Sequence, residues 1–263
     1  MTRPLLCVAL LAAAVASAHD FWLQPSTFTP AVDRPVSLAL RLGDRFVSEG
    51  EKAHDKKATV SLRLHSAAEP IDLDARDGDR PAARFTPKKA GVHFVALERG
   101  AKLITLEAKK FESYLAEEGL DDVIAARKKG GSSGKDGRER YRRYLKCYLR
   151  AGGEGDDAWK KLAGHKLEIV PLSDPTGLKK KDTLAVCILF DDRPLSGVKV
   201  TVFSRDGDEV KARTARTTDR GEAKFTLGES GMHLVRLVFM KRAKDDEAAD
   251  WHSWWAAMTF EVK

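Results

Sequence analysis

The sequence is poor in cysteine and tyrosine, with three of one and four of the other, and it has no long apolar run after its first stretch. A membrane-spanning helix needs roughly 18 uninterrupted apolar residues, so none is expected beyond that stretch. Cys147 and Cys187 are too far apart for a zinc motif, which takes closely spaced ligand pairs. Also missing are the Gly-x-x-x-x-Gly-Lys-Ser/Thr order that cradles phosphate, the nucleophile elbow and the His-Glu-x-x-His helix. The chain therefore reads as a non-enzyme. No basic block interleaved with aromatics occurs, which argues against a nucleic-acid partner although the formal net charge is +7.

What the sequence does have starts with a leader. Arg3 gives a positive start, Pro4 to Ala16 an apolar stretch, and small residues a cleavage zone, the pattern of a secretory signal peptide over residues 1–18. Cys7 sits too far forward to be a lipid-bearing cysteine. The mature chain is expected to be soluble and periplasmic or extracellular, and losing Arg3 lowers its charge by one. Cys147 and Cys187 then stand in a disulfide-permissive compartment, where one bridge and two separate thiols are both open.

Two cleavage points satisfy the small-x-small rule. A cut after Ala18 makes His19 the first residue, and its free amine and imidazole Nδ1 can close a six-membered chelate on one metal ion. A cut after Ala16 leaves Ser17-Ala18-His19, whose amine, two deprotonated amides and imidazole form a square-planar set suited to Cu(II) or Ni(II).

A repeat organises the rest of the chain. Residues 84–97 read RFTPKKAGVHFVAL and residues 224–237 read KFTLGESGMHLVRL, with Phe, Thr, Gly, His, Val and Leu in register and no gap. In each copy a strand, a glycine-bearing turn and an alternating strand follow one another. Val36, Leu38, Leu40 and Leu42 alternate upstream of the first copy, as Leu184, Val186, Ile188 and Phe190 do upstream of the second. Mainly β architecture is expected: two immunoglobulin-like antiparallel β-sandwich domains over 19–108 and 164–263. A helical segment with a Gly/Ser loop is expected between them over 109–163. Within it, Phe111, Leu115, Val123 and Ile124 have helical spacing. So do Tyr141, Tyr144, Leu145 and Tyr148 in RERYRRYLKCYLRAG, which predicts a second helix.

The histidines carry the remaining chemistry. His93 and His233 recur in Gly-x-His-x-Val and are read as corner residues bonded to nearby backbone. His54 and His65 lie in or near polar stretches and are read as ordinary. His165 in AGHKLEIVPLSDP marks the entry to the second sandwich, where a cleft is expected. His252 lies beside Trp251, Trp254 and Trp255, which are read either as a sugar-stacking platform or as sandwich packing.

The segments AHDFWLQP, KFESYLAEEGLDDVIAAR with RERYRRYLK, GHKLEIVPLSDP, LFDDRPLSGVKV and WWAAMTFEV occur in one order. Together they resemble a widespread bacterial family of exported domains of unknown function, associated with the periplasmic component of nickel or cobalt uptake systems. That resemblance implies a Ni(II)- or Co(II)-binding protein, with Cu(II) as a competitor and a membrane transporter as partner. The ligands it implies are His19 first and then His165, and His252 is kept as a further candidate ligand. The alternative expectation is a non-metal module that contacts carbohydrate or protein along the Trp251 to Trp255 edge. A histidine-brace copper enzyme ranks last, since it needs a second histidine brought to His19.

Overall fold

The computed structural model of the protein describes residues 19–207 and 209–263; the leader over 1–18, with Cys7 and both cleavage points, lies outside them. The first seven strands are β1 (Asp20–Pro25), β2 (Val36–Asp44), β3 (Val47–Lys52), β4 (Thr59–His65), β5 (Ile71–Asp72), β6 (Ala83–Phe85) and β7 (Gly91–Leu106). Helices α1 (Ala108–Glu118) and α2 (Asp121–Lys129) follow, then β8 (Gly137–Ala151). The remaining strands are β9 (Leu167–Pro171), β10 (Thr183–Phe190), β11 (Arg193–Pro194), β12 (Lys199–Asp206), β13 (Glu209–Arg216), β14 (Glu222–Thr226), β15 (Gly231–Arg242) and β16 (Trp251–Val262). The chain is mainly β and built as antiparallel sandwiches, as expected.

The second helix expected over RERYRRYLKCYLRAG is not formed, because these residues make β8, one of the two central strands of the largest sheet. Their tyrosine spacing imitates a helix face. In the strand, Tyr144 and Tyr148 pack into one core while Leu145, Cys147 and Leu149 pack into the other. A strand covered on both faces loses the apolar-polar alternation that would identify it.

The eight-stranded sheet runs in the order β13-β12-β15-β16-β8-β7-β4-β5, flanked by two four-stranded sheets made of β1, β2, β3, β6 and of β9, β10, β11, β14. Strand for strand, β1 to β8 correspond to β9 to β16, and the large sheet is a palindrome about its β8–β16 pair. That pair is parallel, whereas every other pairing is antiparallel. A two-fold operation that keeps two neighbouring strands parallel must reverse the faces of the sheet. The first small sheet accordingly covers one face of the large sheet with Trp22, Leu38 and Phe85, while the second covers the other with Ile169, Val186 and Phe225. The two sandwich cores share one sheet, and the helix pair is an insertion between the seventh and eighth strands of the first unit.

The corner histidines obey the same symmetry. His93 Nδ1 lies 3.1 Å from the Gly91 carbonyl and His233 Nδ1 lies 3.0 Å from that of Gly231. Both glycines have positive φ, 127° and 92°, which lets the chain double back at each strand start. Cys147 and Cys187 are both free thiols. Cys147 is fully buried in the first core, where burial pushes its thiol up to about 12, and Cys187 belongs to the second small sheet. The helices pack Phe111, Tyr114 and Leu115 on Val238, Trp251 and Trp255.

At the centre of the large sheet Lys146, 2% exposed, pairs with Glu168, 1% exposed, at 2.5 Å. Glu168 also accepts backbone N–H bonds from Ala163, Gly164 and His165, at 2.7, 3.0 and 3.1 Å, and so fixes the entry to the second unit. Lys146→Met strands this carboxylate and is expected to destabilise the protein by about 3–5 kcal/mol, with about 1–3 kcal/mol recovered on adding Glu168→Gln. Urea unfolding of the single and double variants measures both values. A double variant less stable than Lys146→Met alone would mean that the two charges do not support each other.

Candidate functional site

Two cavities open beside the β8–β16 seam, one on each face of the large sheet. The first, about 130 Å³, is lined by His19, Phe21, Glu139, Tyr141, Arg143 and Trp255 among others. His19 enters it from the start of β1; its side chain is 23% exposed and its Nε2 lies 2.9 Å from Glu49 Oε2. The second, about 460 Å³, is lined by Tyr144, His165, Lys166, Asp191, His252 and Trp254 among others. Its rim carries the two-residue hairpin turn Asp191-Asp192, with φ of 50° and 59° in a region that glycine and asparagine usually occupy.

The repeat relates these cavities. Val36 faces Phe85 as Leu184 faces Phe225, and Pro25 faces Leu38 as Pro171 faces Val186. Counting back from the two prolines makes His19 of AHDFWLQP the counterpart of His165 in GHKLEIVP. On the seam strands, Val95 faces Cys147 as Val235 faces Met258. Tyr141, Arg143 and Tyr144 thereby correspond to His252, Trp254 and Trp255. The first cavity's His19, Tyr141, Arg143 and Trp255 become the second's His165, His252, Trp254 and Tyr144. Side chains alternate along a strand, so the two sets open on opposite faces of the sheet.

The three candidate ligands are therefore divided. His165 and His252 share the second cavity, and His19 stands alone in the first. Among the described residues no group of three or more His, Cys, Asp or Glu side chains comes together to hold a metal ion. His252 Nε2 lies 2.7 Å from Asp246 Oδ2, and Asp246 also receives a two-pronged pair from Arg140. His165 is 4% exposed, its Nε2 has no hydrogen-bond partner among the described residues, and burial followed by the nearby Lys146 charge lowers it to about 3. His65, read as ordinary from sequence, is 4% exposed and stacks on Phe94, with neither ring nitrogen partnered among the described residues. The same two causes lower it to about 4. Trp251 and Trp255 are 3% and 6% exposed beneath the helices, so an exposed platform across Trp251 to Trp255 is not formed.

Behind His19 lies a buried polar network that sequence reasoning missed. Arg236 grips Glu118 with both terminal nitrogens at 2.5 and 2.7 Å, and its Nε lies 2.9 Å from Asp20 Oδ1 without the alignment of a hydrogen bond. Among the described residues Asp20 Oδ2 has no partner, and burial outweighs Arg236 to raise Asp20 to about 6. Glu139 Oε1 accepts from Tyr114, Ser253 and Trp255, while burial pushes this carboxyl up. The one signal pointing here was the shared His-x5-Pro spacing of the two unit starts.

A family model described as a domain of unknown function, DUF4198, matches residues 16–241. No curated protein matches. Among solved structures, a DUF4785 family protein of Legionella pneumophila is 10% identical over 81% of this chain and 51% of its own, with a TM-score of 0.23. This chain thus spans about half the length of that protein. Latent PorU of Porphyromonas gingivalis is 14% identical over 93% and 20%, with a TM-score of 0.21. The first three fibronectin-type domains of chicken contactin 1 are 11% identical over 92% and 65%, with a TM-score of 0.19. Similarity at this level assigns no function.

His65 and His165 titrate lower in the fold than their usual 6.5, so both are neutral in the native protein. Their contribution is complete above pH 6.5 and is lost as pH falls towards 4 and then 3, with a slope of up to about 1.4 kcal/mol per pH unit each. Asp20, raised to about 6, acts in the opposite sense: its contribution is lost as pH rises through that value. Urea unfolding of wild type and His165→Gln at pH 7.5 and 4.5 isolates the histidine effect. The variant should lose on the order of 2 kcal/mol less than wild type across this range; equal losses would show that His165 does not carry it.

Proposed function

We propose that this chain, which belongs to the DUF4198 family of unknown function, is an exported divalent-metal-binding protein whose mature N-terminal residue is His19. The observation that carries this reading is the carboxylate of Glu49 on His19 Nε2. A histidine bound to metal through one ring nitrogen usually has a carboxylate at its other nitrogen, and Glu49 Oε2 takes that place 2.9 Å from Nε2, without the alignment of a hydrogen bond. Among the described residues Nδ1 of His19 has no hydrogen-bond partner, so Nδ1 and the amine exposed by cleavage are both free for a chelate.

The residues fit a two-nitrogen chelate with open coordination positions rather than a closed cage. Nitrogen donors suit Ni(II) and Co(II), and Cu(II) stands higher in the affinity order and would compete. A half-open site holds an ion that is to be passed on, in keeping with delivery to a membrane transporter from the periplasm or cell exterior. No helix among the described residues is long and apolar enough to cross a membrane. His165 and His252 form the secondary ligand pair of this reading, in a cavity where a neutral, buried imidazole needs no proton removed before it coordinates.

Native mass spectrometry of protein exported to a periplasm, purified without chelator or tag, tests both parts of the proposal. A mass beginning at His19 that takes up one tightly held Ni(II) is expected. His19→Ala should abolish that uptake, whereas His252→Ala should leave it. The amine titrates near pH ~8, so affinity should fall as pH is lowered. Unchanged Ni(II) affinity in His19→Ala would rule the terminal chelate out.

A further inference from the structure

The first cavity contains a charge that the fold leaves unpaired. Arg143 is 7% exposed, and among the described residues its guanidinium makes no hydrogen bond and no ion pair within 4 Å. Three aromatic rings box it instead, with centroids at 4.4 Å for Phe21, 4.7 Å for Trp255 and 5.1 Å for Tyr141. Rings attract a cation through their faces but accept none of its five N–H donors. A buried charge is normally paired and hydrogen-bonded, and this one is neither.

Two carboxylates stand near Arg143 without pairing to it. Asp20 leans on Arg236 through Oδ1 and leaves Oδ2 without a partner among the described residues, and Glu139 Oε1 is taken by Tyr114, Ser253 and Trp255. The repeat supplies a control, since the counterpart of Arg143 in the second unit is Trp254. The architecture therefore holds together at this position without a cation. What distinguishes the first cavity is a planar fork of donors among the side chains that line its 130 Å³.

We propose that this cavity binds a small carboxylate, held by the Arg143 guanidinium as a two-pronged pair between the rings of Phe21 and Trp255. The fork matches carboxylate geometry, and such charge-assisted pairs are the strong ones. The cavity has room for a small carboxylate head, with any longer part emerging past His19. The site is separate from metal binding in what it requires: carboxylate capture needs Arg143 and neither His19 Nδ1 nor an ion.

The test uses leader-free protein without metal, with sodium acetate as the probe and sodium chloride at equal ionic strength as the reference. Saturation-transfer NMR on the acetate methyl and the melting temperature are read for wild type, Arg143→Met and Arg143→Lys. Wild type should give a methyl signal and a melting temperature that rises with acetate. Arg143→Met should lose both responses while melting, without acetate, at or above the wild-type temperature, because an unpaired charge has been removed. Arg143→Lys keeps the charge without the fork and should respond more weakly. The proposal is overturned if acetate acts no differently from chloride on wild type, or if Arg143→Met retains the methyl signal. A lower melting temperature for Arg143→Met would also count against it, by making the guanidinium structural.

Discussion

The parallel pairing of β8 with β16 is the constraint on which the rest of this molecule depends. It joins the eighth strands of two copies of one unit, and because it is parallel it turns the copies' faces in opposite directions. The two small sheets must then lie on opposite sides of the large one. Each core is filled from both copies: Phe94 and Tyr148 of the first unit meet the second small sheet, and Phe203 and Leu234 of the second meet the first. Neither sandwich is complete without the other unit's strands, so the expected pair of domains is a single fused body.

That geometry also decides where chemistry can occur. One position, the histidine six residues before a proline, is delivered twice, to opposite sides of the seam. In the first unit it lines a cation-bearing cavity. In the second it is closed beneath the Glu168 turn and kept neutral beside Lys146. The second cavity has gained His252 and Trp254 where the first has Tyr141 and Arg143. One strand framework thus presents two different sets of donors, since neither set is needed to hold the strands together.

Much of this was legible in the residues. The Gly-x-His-x-Val repeat located both β6–β7 and β14–β15, and its recurrence identified the backbone role of His93 and His233. The spacing of Phe111 and Leu115 located α1. What failed was the reading of β8, whose both faces are buried and whose tyrosines happen to fall at helical intervals. The site was legible only in part: His19, His165 and His252 were named as candidates, but their separation by a sheet follows from strand direction, which no local pattern encodes. Arg143 was invisible for a related reason. An arginine in RERYRRYLK reads as solvent-facing until a parallel neighbour and two aromatic residues from distant strands enclose it.

The sequence distance between β8 and β16 has a bearing on how the protein comes to exist at all. During synthesis β8 is complete more than a hundred residues before its parallel partner, and Thr259 of that partner also donates to the Leu23 carbonyl near the other end of the chain, at 2.7 Å. Until the last strand arrives, the first unit presents an unpaired edge in what will be the middle of a sheet, the kind of edge that recruits the wrong strand. If two chains met in that interval, the terminal strand of one could complete the first unit of the other, and the same parallel pairing that makes one molecule would make an exchanged dimer.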